Sequence, residues 1–398
     1  MTNQTFHIEA NQHYTGQLSS QFSVAEGDKA RTFHQRLDGY QPTPLHSLSH
    51  LAKEFGLKNI LVKDESYRFG LNAFKMLGGV YAIARLLCQE YQLDISQFDF
   101  AELNKKISHK MTFATATDGN HGRGVAWAAK QLGQNAVVYM PKGAADERVN
   151  NIRALGAECI VTDMNYDDTV RFVVETAKER GWKVVQDTAW EGYTEIPTWI
   201  MQGYSTLAAE VVEQIQAEQL QKPTHVILQA GVGAMAGGVL GYLAQAFAND
   251  GLNAVVIEPA NADCIYRSGR SARGEMVNVD GDLETIMVGL ACGEPNPLGW
   301  QVLRDCATHF VSSPDTLAAL GMRVLANPLS GDPRVISGES GAIGAGLLAG
   351  VHFSAEREAL KTALRLDKDS VVLVISSEGD TDPAHYRDVV WHGKYPSC

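Results

Sequence analysis

The feature that most constrains the fold is an alternation between short apolar strands and amphipathic helices over much of the 398-residue chain. The apolar pattern predicts strands at residues 60–63, 111–115, 136–140, 158–162, 182–186, 225–229, 254–257 and 370–375. Between them it predicts helices at residues 125–132, 147–155 and 167–179. This order predicts an α/β fold in which βαβ crossovers build mostly parallel sheets covered by helices.

The length of the chain predicts two domains, because 398 residues are too many for one small core. The sequence contains no internal repeat and no linker-like stretch, so the domain boundaries are expected in short turns. In parallel α/β folds, ligands bind at the carboxyl ends of the strands. The residues that follow each predicted strand are therefore the candidates for a site.

Charge and cysteine content exclude several classes of function. The net charge of −12 argues against nucleic acid as a partner, which needs a concentrated basic surface. The sequence shows neither a secretory signal pattern nor an apolar stretch of membrane-spanning length. Six cysteines without a C-x-x-C pair predict reduced thiols, no metal site and a cytoplasmic protein; if any pair bridges, Cys264 and Cys292 are the best candidates.

The first candidate loop, residues 69–79, contains Lys75. The apolar spacing from Met76 onward predicts a helix, with Asn72 as its N-cap. Lys75 would then lie in the first turn, where the helix dipole disfavours an ammonium, and would point towards packed surface. A lysine desolvated in this way becomes a nucleophilic amine. A lysine that reaches from an amphipathic helix into solvent is the alternative, and Lys75 alone is a weak signal.

The second loop, residues 117–124, follows the strand at 111–115 and contains three glycines in eight residues. Glycines let the backbone approach a ligand closely. Asn120 offers a donor and an acceptor, and Asp118 is a candidate acid or base. His121 is assigned no chemical role, because a histidine that opens a buried helix is more often structural. A tight turn before a capped helix explains the same residues equally well.

The third loop, residues 231–238, lies between a strand and a helix. Its glycines and the N–H groups of the helix start predict a phosphate site. The loop also resembles the dinucleotide fingerprint, since Glu258 follows Gly237 by about 20 residues. A nicotinamide-dependent oxidoreductase is therefore an alternative. Against it stand the G-x-G-x-x-x-G spacing and the position of the loop far into the chain.

A fourth segment begins with Ser376 and Ser377, directly after the strand at 370–375, and could offer a hydroxyl to a neutral ring nitrogen. Taken in order, the four segments resemble the fold type II pyridoxal-phosphate enzymes, which include tryptophan synthase β and the threonine and serine dehydratases. The resemblance is closer to the diaminopropionate ammonia-lyases and extends over nearly the whole chain. It is carried by residues 63–79, 111–129, 184–204, 228–238, 287–300 and 337–344.

The resemblance implies a cofactor, pyridoxal 5'-phosphate, and the residues that bind it. Lys75 would bond the cofactor and Asn120 would contact its ring hydroxyl. Ser376, with Ser377 as second choice, would face the pyridine nitrogen. The phosphate cradle would be Gly231, Val232, Gly233, Ala234 and Met235.

The resemblance also implies a reaction, the elimination of ammonia from D- and L-2,3-diaminopropionate to give pyruvate and ammonia through aminoacrylate. Lys75 and Asp118 would act as bases on opposite faces of the substrate. Asp187 matches a second acidic residue of the site, and both aspartates would attract the distal ammonium of the substrate. The Asn120 loop lacks the serine-rich form typical of serine and threonine dehydratases. A dehydratase or another β-eliminating enzyme of this fold is nevertheless the alternative.

Domain organisation and assembly are further expectations. We place a large cofactor-binding domain at residues 1–85 and 196–398 and a small domain at 86–195. The resemblance implies a homodimer that acts on a small amino acid, without nucleic acid or a membrane as partner.

Overall fold

The computed structural model describes residues 6–117, 119–144 and 146–396, and only the backbone of Asp167. The strands are β1 (His7–Ala10), β2 (Leu45–Ser47), β3 (Asn59–Asp64), β4 (Thr112–Ala116), β5 (Asn135–Met140), β6 (Glu158–Val161), β7 (Lys183–Val184), β8 (His225–Gln229), β9 (Asn253–Pro259), β10 (His309–Ser313) and β11 (Val371–Ser376).

The helices complete the α/β pattern. They are α1 (Val24–His34), α2 (Ser49–Phe55), α3 (Met76–Tyr91), α4 (Phe100–Lys106), α5 (Asn120–Gln131), α6 (Asp146–Arg153), α7 (Tyr166–Arg180), α8 (Glu195–Ala217), α9 (Ala234–Ala246), α10 (Cys264–Arg270), α11 (Pro297–Cys306), α12 (Asp315–Ala326), α13 (Glu339–Phe353), α14 (Arg357–Ala363) and α15 (Pro383–Val390).

The chain divides into two compact units. The first unit comprises the residues through Val24, Gln41–Phe74 and the residues from Leu207 onward. The second unit comprises Ala25–Tyr40 and Lys75–Thr206. Residues 25–40, 75–85 and 196–206 thus belong to the unit that contains 86–195.

A seven-stranded sheet forms the first unit, in the order β1-β10-β9-β8-β11-β3-β2. The edge strands β1 and β2 are antiparallel to their neighbours, and the five central strands are parallel. Every residue of β8 and β11 is buried. Both strands are apolar runs because helices cover both faces of a parallel sheet.

The second unit contains a parallel four-stranded sheet in the order β6-β5-β4-β7. Glycines bring its helices into close backbone contact. A Cβ atom on Gly124 of α5 would lie 3.0 Å from the backbone nitrogen of Met76, and one on Gly203 of α8 would lie 2.6 Å from the carbonyl oxygen of Leu77. The predicted fold class, two units each with a mostly parallel sheet covered by helices, is confirmed.

Candidate active site

Lys75 directly precedes α3 in the second unit and has helical backbone angles. The prediction that Asn72 caps this helix is wrong. The helix begins at Met76, too far along the chain for Asn72 to reach its first N–H groups. Asn72 has a left-handed backbone, with φ of 57°, and its amide donates to the carboxylate of Asp380 at 3.2 Å.

The side chain of Lys75 is mostly buried and is paired with Asp187. Its Nζ donates to Oδ2 of Asp187 at 2.7 Å. Burial alone raises the pKa of the Asp187 carboxyl, but the charges of His121 and Lys75 outweigh it and hold that pKa well below its usual range. Asp187 is therefore a buried carboxylate. Sequence reasoning predicted a lysine desolvated against packed surface and did not pair it with this anion.

His121, to which the sequence assigned no role, belongs to the same group of side chains. It is buried in the first turn of α5, and its Nε2 donates to the carbonyl oxygen of Val185 at 2.7 Å. Its Nδ1 lies 3.7 Å from the Asp187 oxygen that Lys75 contacts. This is an ion-pair distance rather than a hydrogen bond.

The loop before α5 is held by Thr117. Its Oγ1 accepts the backbone N–H groups of Gly119 at 3.0 Å and Gly122 at 3.1 Å. A Cβ atom on Gly122 would lie 2.3 Å from Cγ2 of Thr117, so this position requires glycine. Asn120 is half-buried and is the first residue of α5. Asp118, the predicted second base, lies outside the described residues.

In the first unit, the glycine loop connects β8 to the 13-residue helix α9. Gly233 has a φ of 89°, and a Cβ atom on Gly231 would lie 3.2 Å from both Cys292 Sγ and Leu290 Cα. In this described part of the chain, no side chain caps the start of α9. Its first backbone N–H groups can therefore bind an anion, which suits the phosphate of the predicted cofactor.

Ser376 and Ser377 are both buried at the end of β11. The hydroxyl of Ser376 donates to Oγ of Ser337 at 2.8 Å. The carbonyl oxygen of Ser377 accepts the N–H of Phe74 at 3.2 Å. Ser337 was not singled out from the sequence, although it opens the string at 337–344 that carries the resemblance.

Glu258, on which the nicotinamide alternative depended, is fully buried and accepts hydrogen bonds from the backbone. Its carboxyl group accepts the N–H groups of Ile265 at 2.9 Å and Tyr266 at 2.6 Å. A carboxyl group bonded in this way is not free to hold a ribose. Cys264 lies beside it, and neither Cys264 nor Cys292 forms a disulfide bond within the described residues; Cys398 lies outside them.

Comparison with known proteins identifies the family. A family model described as pyridoxal-phosphate dependent enzyme matches residues 36–378. The chain belongs to this family. The diaminopropionate ammonia-lyase of Escherichia coli K12 is 65% identical over 388 residues, which cover 98% of this chain and 97% of that relative. The diaminopropionate ammonia-lyase of Salmonella typhimurium LT2 is 50% identical over 394 residues, with 98% of each chain covered.

A solved structure of the E. coli enzyme gives the same result. The E. coli diaminopropionate ammonia-lyase in complex with an aminoacrylate–pyridoxal phosphate azomethine reaction intermediate has a TM-score of 0.93 to this chain. The two are 62% identical, with 99% of this chain and 98% of that chain covered. The predicted family and the predicted cofactor, pyridoxal phosphate, are confirmed.

Two kinds of feature are absent from the described residues. No helix in them is both long and apolar enough to cross a membrane. No group of three or more acidic, histidine or cysteine side chains in the same part of the chain is arranged to hold a metal ion.

Proposed function

We propose that this pyridoxal-phosphate-dependent lyase eliminates ammonia from 2,3-diaminopropionate. The β-amino group leaves as the first ammonia. The aminoacrylate that is released then takes up water to give pyruvate and a second ammonia. The observation that carries the proposal is a lysine amine bonded at 2.7 Å to a buried carboxylate, in a chain 65% identical to a diaminopropionate ammonia-lyase. The E. coli structure with an aminoacrylate intermediate supports the same reaction.

Four sets of residues would hold the cofactor. Lys75 would bond it through Nζ, Asn120 would contact its ring hydroxyl, and Ser376 or Ser377 would face its ring nitrogen. The phosphate would bind the N–H groups at the start of α9, in the cradle formed by Gly231, Val232, Gly233, Ala234 and Met235. When bound, pyridoxal phosphate supplies the electron sink that stabilises charge at the α-carbon.

The proton transfers would belong to the chain's own residues. Lys75 Nζ would take the α-proton on one face of the substrate, and the carboxylate of Asp118 would take it on the other. Two bases on opposite faces account for activity on both D and L substrates. Asp187 would orient the amine of Lys75 and, with Asp118, attract the distal ammonium of 2,3-diaminopropionate, which serine lacks.

Absorbance spectroscopy of the purified protein, with D- and L-2,3-diaminopropionate added in turn, tests this proposal. We expect a cofactor band near the visible edge that changes with either enantiomer while pyruvate forms. Lys75→Ala should lose both the absorbance band of the covalently bound cofactor and the formation of pyruvate. Lys105→Ala, a change at an exposed lysine, is the matched control and should retain both.

The same experiment separates the alternatives. A protein that responds to serine or threonine but not to diaminopropionate would be a dehydratase of the same fold. A protein that stays colourless in the presence of added pyridoxal phosphate would refute the proposal altogether.

We also propose that the protein is a cytoplasmic homodimer. None of the five cysteines in the described residues forms a disulfide bond, which agrees with a reducing compartment. Light scattering should give about twice the 43.3 kDa of one chain, and cell fractionation should recover the protein with cytoplasmic markers.

A further inference from the structure

The second unit places two ionisable side chains beside one carboxylate oxygen of Asp187. Oδ2 of Asp187 lies 2.7 Å from Nζ of Lys75 and 3.7 Å from Nδ1 of His121. The histidine is buried, and the Asp187 side chain is only 10% exposed. Charges at such depth need partners, because water does not screen them.

The orientation of the His121 ring defines its hydrogens. A carbonyl oxygen can only accept, so the nitrogen 2.7 Å from the oxygen of Val185 must carry a hydrogen. In a neutral ring, Nδ1 would then turn a lone pair towards the Asp187 carboxylate. In the imidazolium, Nδ1 turns an N–H towards it instead. The geometry therefore favours the charged ring.

Two tyrosines, Tyr193 and Tyr204, also interact electrostatically with this carboxylate. Burial raises the pKa of both Tyr193 and Tyr204 far above neutral, so neither adds a charge. Asp118 lies outside the described residues. Lys75 and His121 are thus the two side chains that offer positive charge to the Asp187 carboxylate.

We propose that His121 is a positioning residue whose imidazolium shares the Asp187 carboxylate with Lys75. The inference rests on the proposed role of Lys75 as the lysine that bonds the cofactor. While the Lys75 amine is free, the second cation limits how strongly Asp187 holds it as an ammonium. Once Nζ is bonded to the cofactor, the same imidazolium keeps the buried carboxylate ionised and in place.

The rate at which the apoenzyme captures added pyridoxal phosphate, measured against pH, tests the proposal without relying on turnover. Borohydride reduction followed by intact-protein mass spectrometry would count the covalent adduct at each time. In His121→Gln the amide can still donate to Val185, but the ring charge is lost. The imidazolium of His121 disfavours the ammonium form of Lys75, so its removal should leave less free amine near neutral pH. The plot of capture rate against pH should therefore move upward by about one pH unit, which is about tenfold slower capture at pH 7.

A matched control is His392→Gln, which removes an exposed histidine 3.1 Å from Asp388. Its capture profile should coincide with that of the unmodified protein. An unshifted profile in His121→Gln would overturn the proposal. If unmodified protein forms no adduct through Lys75, the proposed function fails first, so the two failures are distinct.

Neutron diffraction from the unmodified enzyme provides a test that does not depend on a variant folding. Deuterium on both ring nitrogens of His121 at pH 7 is the expected result. A ring with Nδ1 bare would refute the imidazolium, whatever the variant does.

Discussion

The first unit contains a buried cluster of four charged side chains that stabilises its fold. Glu210 is fully buried and contacts two cations, Lys63 Nζ at 2.7 Å and Arg68 Nη1 at 2.8 Å. Glu65, also fully buried, is the second anion and lies 2.8 Å from Arg68 Nη2. The two cations and two anions balance, so the cluster has no net charge.

The change Glu210→Gln keeps the size of the side chain and removes one charge, which leaves the cluster with a net charge of about one unit. Removing one partner of a buried ion pair costs about 3 to 5 kcal/mol, because the charge left behind is desolvated. At about 2 °C per kcal/mol for a domain of this size, Tm should fall by about 6 to 10 °C.

The pH dependence gives this prediction a second, independent readout. Burial lowers the pKa of Lys63 although Glu210 opposes the shift, so losing Glu210 lowers that pKa further. A lysine with a lowered folded-state pKa destabilises the fold as pH falls below its unfolded value near 10.5. The loss of stability in Glu210→Gln, relative to the unmodified protein, should therefore be smaller at pH 9 than at pH 7.

Thermal unfolding of the holoenzyme, followed by circular dichroism at both pH values, measures the effect. Glu102→Gln removes the anion of an exposed pair with Lys105 and should leave Tm unchanged. The reasoning is refuted if Glu210→Gln unfolds with the control, or if its loss of stability grows with pH.

Three further predictions concern other parts of the chain. Burial lowers the pKa of His309 to about 4, so the free energy of unfolding should fall as pH drops from 6.5 to 4, by at most about 3 kcal/mol because solvent screens part of the effect. Thermal unfolding of His309→Asn should lack this loss. Gly122→Ala places a methyl group against Thr117 and should lower the free energy of unfolding by about 1 to 3 kcal/mol, measured by denaturant titration. An unchanged denaturant midpoint would contradict the close packing of Gly122 against Thr117. Gly231→Ala pushes the phosphate loop against Cys292 and should weaken cofactor binding at least severalfold in a fluorescence titration, with little change in apoprotein stability.

The central strands were predictable from the sequence because burial on both faces produces continuous apolar runs, as in β8 and β11. The strand β10 was not, since its sequence ends in two serines. Both are buried because their hydroxyls have partners, Ser312 with Asp263 and Ser313 with the carbonyl of Glu258. Such partners lie far away in sequence and leave no local pattern.

The candidate site shows the same limit. The position of each loop after a strand could be predicted, but the strand order could not. β4 lies beside β7, so His121, which follows β4, meets Asp187, which follows β7. Strand neighbours are chosen by packing across the whole sheet, which explains why sequence reasoning gave His121 no role.

The position of β11 between β3 and β8 also has a consequence for how the protein is made. A ribosome completes β3 early and β11 only near the end of the chain. At about 5 to 20 residues per second, the roughly 300 residues between them take about 15 to 60 s to synthesise. During that time β3 presents an unpaired apolar edge, which is the kind of surface that chaperones shield. A nascent chain released before Val371 would hold both halves of the large sheet without the strand that joins them.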